Sequence, residues 1–262
     1  MRSRLAGLTI IIILLYMIYP VASQELALNI DWENGVVVVL LGSQYGTGWW
    51  ISENYLVTAA HVINYQITQV QIIKGDYISS AKVIAYDQKY DVAILYVSQP
   101  PKKQYIFELS KTSVEKGMKI YPVGYPFELY QLYKDIVKMS WNPRISMGIV
   151  AWYDSNRNLF EMSAAVDAGN SGGPVLDSNG NVVGLVSFAL KGPAATLYYA
   201  SSVDAIKQLL EQNNINYKID LTGTAEYDLP QPLWSNIFYT ALGAGISAIV
   251  TIVVLSLVRR RG

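Results

Sequence analysis

From Val36 to Ala200 the chain is a series of short, β-branched apolar runs closed by turn residues. The run Val36-Val37-Val38-Val39-Leu40-Leu41, bounded by Gly35 and Gly42, is too short for a packed helix and suits a buried strand. Thr47–Ile51, Tyr55–Thr58, Gln69–Ile73, Ala81–Tyr86 and Val92–Val97 read as further strands. Gly42-Ser43-Gln44-Tyr45-Gly46 and Lys74-Gly75-Asp76 read as the turns between them. Ser98–Lys103, with Pro100-Pro101, marks a boundary. Beyond it a second set follows: Lys119–Val123, Ile145–Tyr153, Leu159–Ser163, Val175–Leu176, Val182–Phe188 and Leu197–Ala200. Many short strands with little helical periodicity predict a β-barrel or sandwich. Only Ser202–Gln212 changes period, with Val203, Ile206, Leu209 and Leu210 on one face and Ser201 or Ser202 as N-cap. It reads as a packing helix without chemistry. The aromatic- and Lys-bearing segment between Pro126 and Ile145 has no assignable pattern.

The two ends are different in kind. Met1–Ser23 has Arg2 and Arg4, then the apolar run Leu5–Tyr19, then small residues at Val21 and Ser23, as in a secretory signal cut near Ser23/Gln24. The alternative is an uncleaved anchor. Asn213–Trp234 is polar with Gly223, Pro230 and Pro232, and reads as a stalk. Ile237–Val258 carries no charge, and as a helix it would extend about 33 Å, enough for a bilayer core. Arg259-Arg260-Arg261 follow it, so the positive-inside rule puts the C-terminus in the cytoplasm and residues 24–235 outside. The expected organisation is thus a signal peptide (1–23), an N-terminal barrel (24–100), a second barrel with a packing helix (101–212), a stalk (213–236), a membrane span (237–258) and a short tail (259–262). Ala241, Gly243, Gly245 and Ser247 are small residues that could pack a second span, so a homo-oligomer is one outcome.

Composition removes several chemistries. Lys plus Arg and Asp plus Glu are both 20, and no basic cluster lies on a recognition element, so nucleic acid is not expected as a partner. The absence of cysteine excludes disulfides, thiolate metal sites and a cysteine nucleophile; a single histidine excludes a multi-histidine metal centre. No cofactor or metal is expected. One or two spans leave no polar path through a membrane, which argues against a transporter.

The chemistry-bearing stretch is Asp167-Ala168-Gly169-Asn170-Ser171-Gly172-Gly173-Pro174-Val175. Its glycines allow a sharp turn that brings backbone N–H groups to one point beside a serine hydroxyl, where an oxyanion would develop. An ordinary turn is the plainer alternative. A serine nucleophile needs a base, and imidazole, which titrates near neutrality, is the usual one. The one histidine, His61, closes the strand Leu56–Ala60, although a lone histidine is more often a packing or surface residue. The base needs a carboxylate to hold its tautomer. Asp91 opens the apolar strand Asp91-Val92-Ala93-Ile94-Leu95, where desolvation is costly unless it is partnered; a turn aspartate like Asp87 is the alternative.

Taken together, Thr58-Ala59-Ala60-His61, Asp91-Val92-Ala93-Ile94-Leu95 and Gly169-Asn170-Ser171-Gly172-Gly173-Pro174 resemble the trypsin-like (chymotrypsin-fold) serine proteases from about Val36 to Gln212. Gly46-Thr47-Gly48, Gly124-Tyr125-Pro126-Phe127, Gly148-Ile149-Val150 and Gly180-Asn181-Val182-Val183-Gly184 bring the resemblance closest to the HtrA/Deg branch. It implies an all-β fold of two perpendicular six-stranded antiparallel barrels, with the active site in the cleft between them. It also implies Ser171 as nucleophile, His61 as base and then acid, and Asp91 as the orienting carboxylate. The oxyanion hole would be the N–H groups of Gly169 and Ser171, with Asn170 between them. Digestive relatives carry Asp where Asn170 stands, so activation through a new N-terminus is not expected. The active loop must then be set by local contacts or by a partner. The same resemblance places Ala165 at the base of the substrate pocket and Ser187-Phe188-Ala189 along its wall, which suggests a small-to-medium apolar residue rather than Arg or Lys before the scissile bond.

Two departures stand out: Asn213–Asn236 is too short for the PDZ domain usual in that branch, and a C-terminal anchor is unusual there. The segment Glu128–Arg144 is expected to lie beside the active loop as a regulatory or substrate-facing element. The expected function is a membrane-anchored serine endopeptidase acting on misfolded, secreted or membrane polypeptides outside the cytoplasm. The alternative is a non-catalytic binding or chaperone module at the membrane surface.

Overall fold

The computed structural model of the protein describes residues 31–65 and 68–220. Among these no helix is long and apolar enough to cross a membrane. The expectations for Met1–Ser23 and for Ile237–Val258 lie outside the described residues.

The first six strands are β1 (Val36–Leu41), β2 (Gln44–Trp50), β3 (Tyr55–Thr58), β4 (Gln69–Lys74), β5 (Tyr77–Asp87) and β6 (Val92–Tyr96). They close into a barrel in the order β1-β2-β3-β6-β5-β4, with every pairing antiparallel. Side chains alternate across a strand, and the closed sheet puts one set inside. Val37, Val39, Leu56, Ile72, Ala93 and Leu95 fill the interior. The opposite set, including Val36, Val38, Val57, Val92 and Ile94, packs in one cluster with Leu109, Val123, Leu176 and Leu185 of the second half. β1 is therefore buried on both faces, which is why its sequence is a continuous β-branched run and not an alternating one. Full burial of each of these valines contributes roughly 1.5–3 kcal/mol.

The second half contains β7 (Leu109–Ser110), β8 (Lys119–Gly124), helices α1 (Phe127–Tyr133) and α2 (Ile136–Ser140), β9 (Arg144–Ile145), β10 (Gly148–Asp154), β11 (Leu159–Met162), β12 (Pro174–Leu176), β13 (Val182–Lys191), β14 (Thr196–Ser202), α3 (Val203–Gln212) and β15 (Ile219–Asp220). Six of these strands form a second antiparallel ring in the order β12-β8-β10-β11-β14-β13, closed by β12 against β13. Val114, Ile120, Val150, Phe160, Val175 and Val183 lie in its core. The short β7 and β15 add to its edge in parallel.

Several boundaries differ from the sequence reading, for identifiable reasons. Gln44, Tyr45 and Gly46 were expected in the turn but pair with Leu41, Leu40 and Val39, so the turn shrinks to Gly42-Ser43. Lys74 likewise pairs with Tyr77, leaving Gly75-Asp76 as the turn. Ile145–Tyr153, expected as one strand, is divided between β9 and β10 at Ser146-Met147, although both parts pair with β8. Ser202 occupies the N-cap of α3, but its side chain makes no capping bond. Its hydroxyl faces Asn158 Oδ1 at 3.5 Å instead. Asn213–Asp220, read as the start of a stalk, belongs to the packed unit: Ile215 is buried, and β15 pairs with β7. Polar composition concealed this because the two-residue strand is held by its backbone.

The unassigned segment after Pro126 is helical. Asp135 caps α2, its Oδ1 accepting from Val137 N (2.9 Å) and Lys138 N (3.1 Å). The segment is tied to the first barrel at the β4–β5 turn, where Gly75 N donates to Ser140 Oγ (2.7 Å) and Lys74 Nζ to Trp141 O (3.2 Å). The fully buried Tyr125 joins them; its hydroxyl lies 2.8 Å from Ser140 O, 2.9 Å from Val36 O and 3.4 Å from Lys74 Nζ. Burial pushes the Lys74 ammonium from 10.5 down to about 8, with the Glu33 carboxylate partly opposing it. Between about pH 8 and 10.5 the folded chain has released this proton and the unfolded chain still binds it, so this group's contribution to stability rises with pH. Lys74→Met is expected to stabilise the fold at pH 7 by about 1–3 kcal/mol, with the gain shrinking toward pH 10.5. Urea unfolding at pH 7 and pH 10 checks it; net destabilisation at pH 7 would show that the buried ammonium is more than compensated by its partners.

Candidate active site

His61 and Asp91 are delivered by strand ends, Ser171 by the loop before β12, and Ser187, Phe188 and Ala189 by the interior of β13. β3 leads through Ala59 and Ala60, both fully buried, into a single 3-10 turn Ala60–Ile63 that carries His61. The small side chains let this turn sit against Asp91, and Ala60 N donates to Asp91 O (3.2 Å). Asp91 lies between β5 and β6 with φ +55°, a left-handed conformation that Asp tolerates better than most residues. That geometry aims both carboxylate oxygens at His61: Oδ1 accepts from His61 N (2.9 Å) and Oδ2 lies 2.8 Å from His61 Nδ1. Ser187 Oγ also donates to Oδ2. A carboxylate only accepts, so Nδ1 carries the proton and the lone pair is on Nε2. The Asp91 side chain is 14% exposed and that of His61 38%, so the pair is shielded at one end and open at the other.

Ser171 lies in the loop before β12. Gly169 and Gly172 have φ +92° and +86°, values that side chains rarely permit. A Cβ on Gly169 would sit 2.3 Å from Tyr125 O, and one on Gly172 2.2 Å from Thr47 O. The loop is clamped by one residue of β2. Thr47 N donates to Ser171 O (2.8 Å), Thr47 Oγ1 donates to Gly169 O (2.7 Å) and accepts from Tyr125 N (3.1 Å), and Thr47 O accepts from Thr58 Oγ1 (2.7 Å). Asn170 is buried with its Oδ1 packed toward Gly124. The amides of Asn170, Gly172 and Gly173 are taken by the carbonyls of Asp167, Val186 and Asn170, and that of Ala168 by Asp167 Oδ1. The N–H groups of Asp167, Gly169 and Ser171 take none of these acceptors. Contacts centred on Thr47 thus tie the loop around the neutral Asn170 to β2.

Ser171 Oγ lies 3.3 Å from Ser187 O and opens onto two clefts. The first, of about 520 Å³, is walled by Val166, Asp167, Ala168, Val186, Ser187, Phe188, Ala189, Lys191 and Tyr198. Ser187, Phe188 and Ala189 line this cleft beside Ser171. Ala165 does not line this cleft, because side chains alternate here: Ala164 and Val166 are buried, while Ala165 is exposed and holds Ser146 Oγ through its carbonyl (2.9 Å). The second cleft, of about 340 Å³, is lined by His61 and Ser171 together with Ser43, Gln44, Tyr45, Val62, Phe127, Ala168 and Gly169. Phe127 N donates to Ala168 O (2.8 Å), so α1 begins directly against the active loop. Sequence reasoning missed Thr47, Thr58 and Tyr125; a polar β-branched residue between two glycines in an otherwise apolar strand was the available signal. Groups of three or more metal-ligating side chains are absent among the described residues.

His61, held by Asp91 through Nδ1, thus faces the same cleft as Ser171, whose hydroxyl donates to Ser187 O. The family described as the trypsin-like peptidase domain matches residues 46–185. A probable periplasmic serine endoprotease DegP-like of Bartonella henselae is 29% identical over 171 residues, 64% of this chain and 33% of that protein. Serine protease Rv3671c of Mycobacterium tuberculosis is 31% identical over 170 residues, 63% of this chain and 41% of that protein. This chain therefore spans only about a third to two fifths of the length of these relatives. Among solved structures, the Rv3671c protease in its inactive form superposes with TM-score 0.55 at 24% identity, covering 69% of this chain and 89% of that one. The serine endoprotease of Yersinia pestis gives TM-score 0.57 at 20% identity over 70% and 64%. At those identities the structures speak for the fold alone.

Proposed function

The chain belongs to the trypsin-like peptidase domain family and is homologous to DegP/HtrA serine proteases, and on that premise we propose that it is a serine endopeptidase working through an acyl-enzyme on Ser171. The observation that carries this reading is the 2.8 Å contact of His61 Nδ1 with Asp91 Oδ2, with His61 and Ser171 facing one cleft. Ser171 Oγ attacks the scissile carbonyl carbon and its proton passes to His61 Nε2. The carbonyl oxygen takes the negative charge and is met by the N–H groups of Gly169 and Ser171. The C–N bond then breaks, and the departing amine takes the proton from His61. Water repeats the sequence on the ester: it gives its proton to His61, adds to the carbonyl carbon, and Ser171 leaves as the hydroxyl. Asp91 holds the ring and balances its charge throughout.

The first cleft would take the side chain before the scissile bond. Val166, Val186 and Ala189 favour a small-to-medium apolar group there, and a preference for Lys or Arg would contradict this. The same proposal places the enzyme outside the cytoplasmic membrane as a single-pass protein, with polypeptide substrates. Its support is in the sequence: the signal-like Met1–Ser23, the uncharged Ile237–Val258 and the arginines that follow.

A serine-directed fluorophosphonate probe tests the hydrolytic reading. The wild-type protein is expected to be labelled and Ser171→Ala is not. A protein that stays unlabelled while folded, at neutral pH, is a binding module and not an enzyme.

A further inference from the structure

The two clefts that meet at Ser171 and Ala168 have different owners in the reaction. His61 lines only the second. The group that protonates the departing amine must face it, so the residues following the scissile bond lie in the second cleft. This assignment rests on the hydrolytic reading above.

That cleft has a definite chemistry. Tyr45 and Phe127 wall it, and both pack against Tyr130, with ring centroids 6.1 and 6.0 Å apart. Phe127 and Tyr130 are nonetheless exposed, so aromatic surface is left without protein cover. Tyr45 Oη is buried and has no hydrogen-bond partner among the described residues. The charge around it is of one sign. Burial, then Glu128, Tyr130 and Asp167, push the Tyr45 hydroxyl up to about 12. Both carboxylates are exposed, Glu128 next to Phe127 in the first turn of α1 and Asp167 on the wall of the first cleft, and no Lys or Arg lines the second cleft.

The exposed aromatic faces of Phe127 and Tyr130 and the neighbouring Glu128 carboxylate suit a cationic side chain. A guanidinium fits best: it stacks on rings and carries several donors in one plane, where an ammonium is a single hydrated point. We propose that the cleft formed by Tyr45, Phe127 and the first turn of α1 is a leaving-side subsite for a basic residue, Arg before Lys, at the first or second position after the scissile bond. The α1–α2 segment then sets substrate choice by supplying Phe127, Glu128 and Tyr130.

The test uses the full-length protein and peptides that differ only at those two positions, carrying Arg, Ala or Glu. Cleavage is expected to favour the Arg peptide over the Glu peptide by about tenfold in kcat/KM, with Ala between them. Glu128→Lys is expected to abolish or invert that order. The same peptides, fluorescently tagged, are titrated against Ser171→Ala, where the Arg peptide is expected to bind several-fold more tightly than the Glu peptide. Equal kcat/KM and equal affinity for Arg and Glu peptides overturn the subsite, as does an Arg preference that Glu128→Lys leaves intact. Failure of the hydrolytic reading looks different: no fluorophosphonate label and no peptide cleaved. The binding titration still decides the subsite in that case.

Discussion

Ser171→Ala is expected to lower kcat by about 10⁶-fold, and adding His61→Ala to it is expected to cost little more. The two side chains perform one act. Without the hydroxyl there is nothing for His61 Nε2 to deprotonate, and without the imidazole the hydroxyl is a poor nucleophile. Their losses therefore do not add. What remains in either variant is the binding cleft and the amides of Gly169 and Ser171, held by the Thr47 bonds to Ser171 O and Gly169 O. A residual rate of about 10³–10⁴ over water is the expectation from such a frame. Single-turnover assays on the two single variants and the double variant check it. Full additivity would mean that Ser171 and His61 act independently, and the mechanism given above would be wrong.

The second large effect is at Asp91. Asp91→Asn is expected to reduce kcat by about 10⁴-fold while the fold persists. The carboxylate currently serves three donors: His61 N at Oδ1, and His61 Nδ1 and Ser187 Oγ at Oδ2. An amide offers one oxygen and one NH₂. If the NH₂ faces Nδ1, that nitrogen becomes the acceptor, the ring proton moves to Nε2, and Nε2 can no longer receive a proton from Ser171. If the oxygen faces Nδ1, the NH₂ meets His61 N, donor against donor. Either orientation harms the pair, and neither adds a buried charge. Steady-state kinetics beside circular dichroism separate loss of chemistry from loss of fold. A reduction smaller than tenfold with native dichroism would remove Asp91 from the orienting role.

How much of this was legible in the sequence varies with the kind of interaction. The strands of the first barrel were readable because β-branched runs and turn residues are local signals. Their ends were not, since Gln44, Tyr45 and Gly46 are turn-like in composition but pair because β1 extends far enough to meet them. α1 and α2 were invisible: α1 buries no residue and α2 only two, so neither presents a core-facing stripe. His61, Asp91 and Ser171 were legible as three motifs. Ala165 is exposed between the buried Ala164 and Val166 and is not among the residues that wall the first cleft, a placement its local motif did not show.

The sequence alone determined the class of fold, through its succession of short apolar runs, and singled out the three residues to which the proposal gives the chemistry, through their local motifs. It also determined that Asn170 forms no charged pair, because an amide has no charge to give. Only the tertiary structure decided what replaces that pair. Thr47 is separated by more than a hundred residues from Gly169 and Ser171, yet one side chain and its two backbone groups join β2 to the active loop, to Tyr125 and to Thr58. Such a clamp exists only when the two barrels close against each other along the shared face of β1 and β2. A hydrogen bond depends on position and direction, and a linear pattern of residues specifies neither.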